Sequence, residues 1–167
     1  LVSASDDKTL RVWELSTGRL LRVLRPPIGQ GNEGKMYAVA ISPDVNAVAG
    51  AGWSGLEWDK AHSIYLFDKS SGRMLRRITG LPQSIPQVAF SPDGRVLVVT
   101  FLGKGGIRFY RTTDGLLLAE DRDYQAETYG ASFDASGRVV TASYDGFLRL
   151  YGRDFSLRAQ TQVSRSE

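Results

Sequence analysis

Apolar and polar positions alternate in short runs along the whole chain. No stretch keeps a helical period over three turns, so the pattern predicts short strands joined by turns. A segment of the form aliphatic–x–apolar–aromatic occurs four times: Leu10-Arg11-Val12-Trp13, Ile64-Tyr65-Leu66-Phe67, Ile107-Arg108-Phe109-Tyr110 and Leu148-Arg149-Leu150-Tyr151. The aromatic ends lie 54, 43 and 41 residues apart. Five residues beyond the aromatic stand Gly18, Gly72 and Gly115, where a turn needs positive φ; the fourth copy has Ser156 instead. A second marker precedes each of the last three copies. Ser42-Pro43-Asp44, Ser91-Pro92-Asp93-Gly94 and Asp134-Ala135-Ser136-Gly137 follow apolar stretches ending in Ile41, Phe90 and Phe133. Pro presets φ and Asp caps the local backbone, so these are turns. A supersecondary unit is repeated.

Each full unit holds four expected strands. In the second unit they cover 37–41, 47–50, 63–68 and 73–78. The third has 87–90, 96–100, 106–111 and 116–119, and the fourth 129–133, 139–143, 147–151 and 157–162. The first begins in its second strand at 1–5 and continues through 9–14 and 19–24.

On SASDDKTLRVWELSTGRLLRVL over 3–24, SPDG over 91–94 and TASYDGFLRLYG over 141–152, the sequence resembles the WD40 repeat family across essentially all of its 167 residues. The resemblance implies an all-β fold: a partial WD40-type β-propeller of four-stranded antiparallel blades, the first strand of each lining a central channel. A single domain over 1–167 is expected, with blades at about 1–25 (first strand missing), 36–79, 85–121 and 128–163. The family's Trp-Asp pair survives only as Trp13-Glu14 and Phe67-Asp68, then gives way to Tyr110-Arg111 and Tyr151-Gly152. Its Gly-His pair is absent, the one His being His62. Asp7 and Asp145 stand where the family places its structural Asp. Without the His the family's buried hydrogen-bond network is incomplete; each lost bond costs about 1 kcal/mol, so the fold is expected to rest on packing.

Composition narrows the picture. With 42% hydrophobic and 23% charged residues the chain is globular rather than disordered. No Cys is present, which excludes a disulfide framework and a cysteine zinc site. No apolar run approaches the roughly 18 residues of a spanning helix, so no membrane partner is expected. The 21 Lys and Arg against 18 Asp and Glu give a net charge of +3. The basic groupings, Arg19, Arg22 and Arg25, then Arg73, Arg76 and Arg77, fit soluble edge strands better than a nucleic-acid footprint. The sequence starts LVSASDDKTL, without Met or a signal segment, and is expected to be part of something longer. Three and three-quarter blades fall short of the four to eight that close a propeller. The remaining blades are expected either from a longer parent chain or from a second copy in a homodimer.

The copies are unequal. From second-strand start to third-strand aromatic the first and fourth take 12 residues, the third 14 and the second 20. The extra length holds 52–62, GWSGLEWDKAH; the other long irregular stretch is 26–35, PPIGQGNEGK, leading into the same blade. In a propeller these two loops open on one face. Trp53, Glu57, Trp58, Asp59 and His62, with Ile28 and Asn32, are the candidate partner-binding residues, because Trp gives large contact area at low entropic cost. Folding of Trp53 and Trp58 into a local loop core is the competing reading. Tyr37, Pro86 and Tyr129 near the starts of inner strands are further candidate contacts. Trp13, Phe67, Tyr110, Tyr151, Asp7, Asp145, Gly18, Gly72 and Gly115 are structural repeat positions. Glu57, Asp59 and His62 match no metal-ligand spacing, so no metal and no cofactor is expected. No GxSxG, HExxH or P-loop occurs, and Gly103-Lys104-Gly105-Gly106 is a strand-to-strand turn rather than a phosphate cradle. The expected function is a non-catalytic scaffold that binds protein or peptide partners through loops on one face, in the cytoplasm. The alternatives are a regulatory or sensor segment of a larger multidomain enzyme and a basic nucleic-acid-binding surface.

Overall fold

The computed structural model describes residues 1–54 and 61–163. All regular structure among them is β-strand. The first sheet contains β1 (Val2–Ser5), β2 (Thr9–Trp13) and β3 (Leu20–Leu24), in that order. The second holds β4 (Lys35–Ile41), β5 (Ala47–Trp53), β6 (His62–Asp68) and β7 (Met74–Leu81). β8 (Val88–Phe90), β9 (Val96–Thr100), β10 (Ile107–Arg111) and β11 (Leu117–Asp121) form the third. β12 (Thr128–Phe133), β13 (Val139–Ser143), β14 (Phe147–Tyr151) and β15 (Leu157–Gln162) form the fourth. Every pairing is antiparallel between sequence neighbours. This is the meander expected of propeller blades, and the fold class is the partial all-β propeller that the repeats imply.

The chain divides into two compact units, Leu1–Ile85 and Pro86–Glu167. In the first, β1 and β2 pack against β4. Its core is built from Leu10, Val12, Leu24, Met36, Val48, Tyr65 and Phe67. In the second, β12 packs on β8 and β9. Val98, Ile107, Phe109, Tyr124, Ala131, Val139 and Tyr151 fill its core. The repeated third-strand aromatics Phe67, Tyr110 and Tyr151 are all buried, as their apolar rings require. Burial falls off toward the fourth strand of a sheet: five consecutive residues of β6 are buried, whereas every residue of β15 is exposed. The arginines of β3 and β7 sit on these outer strands, where charge discourages pairing with other chains.

Turn chemistry follows the repeat with one informative exception. Gly18, Gly72 and Gly115 have φ of 70°, 76° and 78°, and each donates its N–H back to the carbonyl of Glu14, Asp68 or Arg111. The fourth copy does not put Ser156 in that role. Its turn is one residue shorter, closed by Gly152 N–H to Ser156 O at 2.9 Å, and the left-handed residue is Phe155 at φ 63°. A side chain there costs roughly 1–2 kcal/mol of backbone strain. Stacking of the Phe155 ring on Phe109, with centroids 4.6 Å apart, offsets part of it.

The strands of the second sheet run further than the sequence predicts. β4 starts at Lys35, β5 ends at Trp53 and β6 begins at His62, so Trp53 and His62 are strand ends and not loop residues. A bulge between Met36 and Ala38 lets the ladder continue to Lys35 opposite Trp53.

Candidate functional site

In the first unit, the loop preceding β4 and the far end of the β5 strand come together. Gly34 N–H donates to Trp53 O at 2.8 Å and Lys35 N–H to Asn32 O at 3.1 Å. Gly34 has φ +96°, and a Cβ there would lie 2.8 Å from Ile28 Cγ2, so glycine is required for this approach. Two lysines tie the loop down: Lys8 Nζ donates to Gly29 O at 2.8 Å and Lys35 Nζ to Asp6 at 3.0 Å. The Asp6 carboxylate raises the Lys35 pKa above its ordinary value. Trp53 is 43% exposed and meets the His62 ring edge-on at 5.8 Å; Ile28 is 56% exposed and Asn32 is exposed too. Buried Ser54 pins the base of the β5–β6 connection, its hydroxyl donating to Ser63 O and accepting from Ser63 N–H at 3.0 Å. Ile28, Asn32, Trp53 and His62 thus share one end of the second sheet. Glu57, Trp58 and Asp59 lie outside the described residues.

The second unit carries a polar constellation at the corresponding end of the fourth sheet. Arg149 and Asp145 form an ion pair at 2.7 Å with side chains only 6% and 4% exposed. Arg149 also donates to Ser143 Oγ at 2.9 Å and Asp123 O at 3.1 Å, and its guanidinium lies 4.0 Å from the Tyr124 ring centroid. Tyr124 OH bonds Thr141 Oγ1 at 2.7 Å and Tyr151 OH at 2.8 Å, and Tyr151 OH donates to Asp121 at 2.7 Å. Burial pushes the Asp145 carboxyl up, but hydrogen bonds from Arg149, Ser143 and the Phe147 and Gln125 amides outweigh it and hold it below the usual carboxylate range. Burial also drives the Tyr151 hydroxyl far above its ordinary value, with Tyr124 and Asp121 adding to it. Without the family's His, a chain of buried hydrogen bonds from Thr141 through Tyr124 and Tyr151 to Asp121 here adds to the packing of the core.

Tyr129 and Tyr144 are exposed and tilted against each other at 4.9 Å, and Tyr144 N–H donates to Glu127 O. Sequence reasoning had Tyr129 and missed Tyr144. The available signal is positional: in TASYDG a tyrosine occupies the turn site that Asp6 holds in SASDDK. In the first sheet, Trp13 Nε1 donates to Ser3 Oγ at 2.9 Å, and Asp7 accepts from Thr9 and Arg11. No group of three or more metal-ligating side chains occurs among the described residues, and no helix there is long and apolar enough to cross a membrane.

A family model described as "WD domain, G-beta repeat" matches residues 1–14. Transcription initiation factor TFIID subunit 5 of Caenorhabditis elegans is 28% identical over 154 residues, 91% of this chain and 22% of that protein. Coronin-7 of Rattus norvegicus is 26% identical over 165 residues, 98% of this chain. The chain spans 22% and 16% of the lengths of these two relatives. Among solved structures, the computationally designed Ika8 protein superimposes with a TM-score of 0.77 at 22% identity, over 99% of this chain and 47% of that one. That likeness is one of fold.

Proposed function

We propose that this chain, built from WD40-type repeats, is a non-catalytic platform that binds a protein or peptide partner at the end of its second sheet. Proteins of such repeats generally serve as protein-interaction scaffolds and are generally not enzymes. The observation that carries the reading is the convergence of the 26–34 loop on Trp53. The backbone of exposed Trp53 is held against β4 by the ladder opposite Lys35 and by the Gly34 N–H on its carbonyl, with Ile28, Asn32 and His62 beside it. Such an anchor presents a large contact area without being ordered at the moment of binding, which keeps the cost of association low. Trp58, which lies outside the described residues, is expected to contribute to the same binding.

Peptides selected from a random display library against the whole chain provide the probe. Trp53→Ala is expected to weaken the selected peptide by at least about tenfold in calorimetry, as truncation of a buried interface anchor does. Trp58→Ala weakens it in the same direction. Unchanged affinity in both variants, with melting midpoints near wild type, overturns the assignment.

A further inference from the structure

A cleft of about 550 Å³ opens at the end of the second unit formed by the turns that join first to second and third to fourth strands. That volume lies within the range of small-ligand and peptide side-chain sites. Its floor is apolar, contributed by Val96, Phe133 and Phe155 with Pro92 at the side, and its rim carries Asp93 and Arg153. The cleft depends on a departure from the repeat. Where the first three sheets place glycines, which have no side chain, the fourth places Phe155 in the left-handed region and stacks it on Phe109. Strained side chains of this sort concentrate at sites of function.

The two charges differ in how far they are engaged. Asp93 is turned into its own turn, accepting from Ser91 Oγ at 2.6 Å and Arg95 N–H at 3.0 Å. Arg153 donates only Nε, to Ser136 O, while its stem passes over Gly137. Its two terminal nitrogens have no partner among the described residues. A guanidinium fixed by its stem and open at its fork matches a carboxylate in bidentate geometry.

We propose that this cleft docks a peptide segment of a protein partner in which an aliphatic or aromatic side chain adjoins a carboxylate. The side chain covers the Val96, Phe133 and Phe155 floor, removing exposed apolar surface from water. The carboxylate meets the Arg153 fork. This surface is independent of Trp53, and each is tested without the other.

The experiment titrates three blocked dipeptides, Ac-Leu-Asp-NH2, Ac-Leu-Asn-NH2 and Ac-Leu-Lys-NH2, into the isotopically labelled whole chain at millimolar concentration, read by amide chemical shifts. The acidic peptide is expected to move amides of the turns at 91–96, 133–137 and 152–156. It is expected to bind roughly three- to tenfold more tightly than the Asn peptide, since the site is open to solvent and the charge only partly desolvated. Arg153→Gln abolishes that preference and Arg153→Lys keeps part of it; Trp53→Ala leaves it intact. Absence of shifts, shifts spread beyond the three turns, equal binding of the three peptides, or a preference that survives Arg153→Gln each overturns the proposal.

Discussion

Ser5, Asp7 and Arg11 in the first sheet occupy the same hairpin positions as Ser143, Asp145 and Arg149 in the fourth, and the two aspartates engage the same kinds of group. Asp7 accepts from the Thr9 amide and hydroxyl and from Arg11, and the Thr9 hydroxyl is the main reason its carboxyl is held below the ordinary value. Asp145 accepts from the Phe147 amide, Ser143 and Arg149. Their surroundings part company. The Arg11 and Asp7 side chains are 36% and 41% exposed, those of Arg149 and Asp145 only 6% and 4%. What separates them is Tyr124, whose ring covers Arg149 and whose hydroxyl joins Thr141 to Tyr151. One sequence pattern therefore yields a solvated turn brace in one unit and a buried ionic keystone in the other. In water the pair gains little, because solvent already screens both charges. Under Tyr124 each charge has lost its hydration and depends on the other.

The largest effect is expected from Arg149→Ala. It leaves the Asp145 carboxylate buried without its counter-charge and should lower unfolding stability by about 3–5 kcal/mol, measured as a fall in urea midpoint at constant slope. Adding Asp145→Ala should then cost less than the sum of the two single changes, because the orphaned charge goes with it. Tyr124→Phe comes next. It keeps the ring over Arg149 but withdraws the hydroxyl from buried Thr141 and Tyr151, a loss of about 1–3 kcal/mol by the same measurement.

Acid should sharpen the comparison. The folded Asp145 carboxyl titrates below its unfolded value, so its contribution is fully present above the ordinary carboxylate pKa of about 4 and disappears as pH falls below it. Urea midpoints of the wild type should drop across that window, and the drop should shrink in the Arg149→Ala variant. The smallest effect belongs to Arg11→Ala, expected to leave the melting midpoint close to wild type. A large loss there would erase the distinction between the two hairpins.

The second sheet teaches a similar lesson at the proposed binding end. The added length of GWSGLEWDKAH and PPIGQGNEGK draws attention to this end of the sheet, but the assignment of Trp53 and His62 to a loop misses that cross-strand pairing extends to Lys35 opposite Trp53. That ladder was not legible because it needs a bulge at Met36–Ala38, and a bulge shifts the alternation by which strands are read. Tyr144 escaped for a related reason: a turn tyrosine gains significance only once Tyr129 is found against it.

The order of residues alone determines the module: an apolar run ending in an aromatic, a Pro-Asp-Gly or equivalent turn, and a glycine five positions later. These are local demands of pleat and turn, met within each meander by neighbours in sequence, and they fix the turn positions of Gly18, Gly72 and Gly115. Folding decided everything that depends on partners distant along the chain. Tyr124 reaches Tyr151 across 27 residues, and Phe155 finds Phe109 in the neighbouring sheet. Hydration is the physical reason: whether an Asp–Arg pair is screened or dependent turns on what excludes water from it, and that cover is supplied by another segment of the chain.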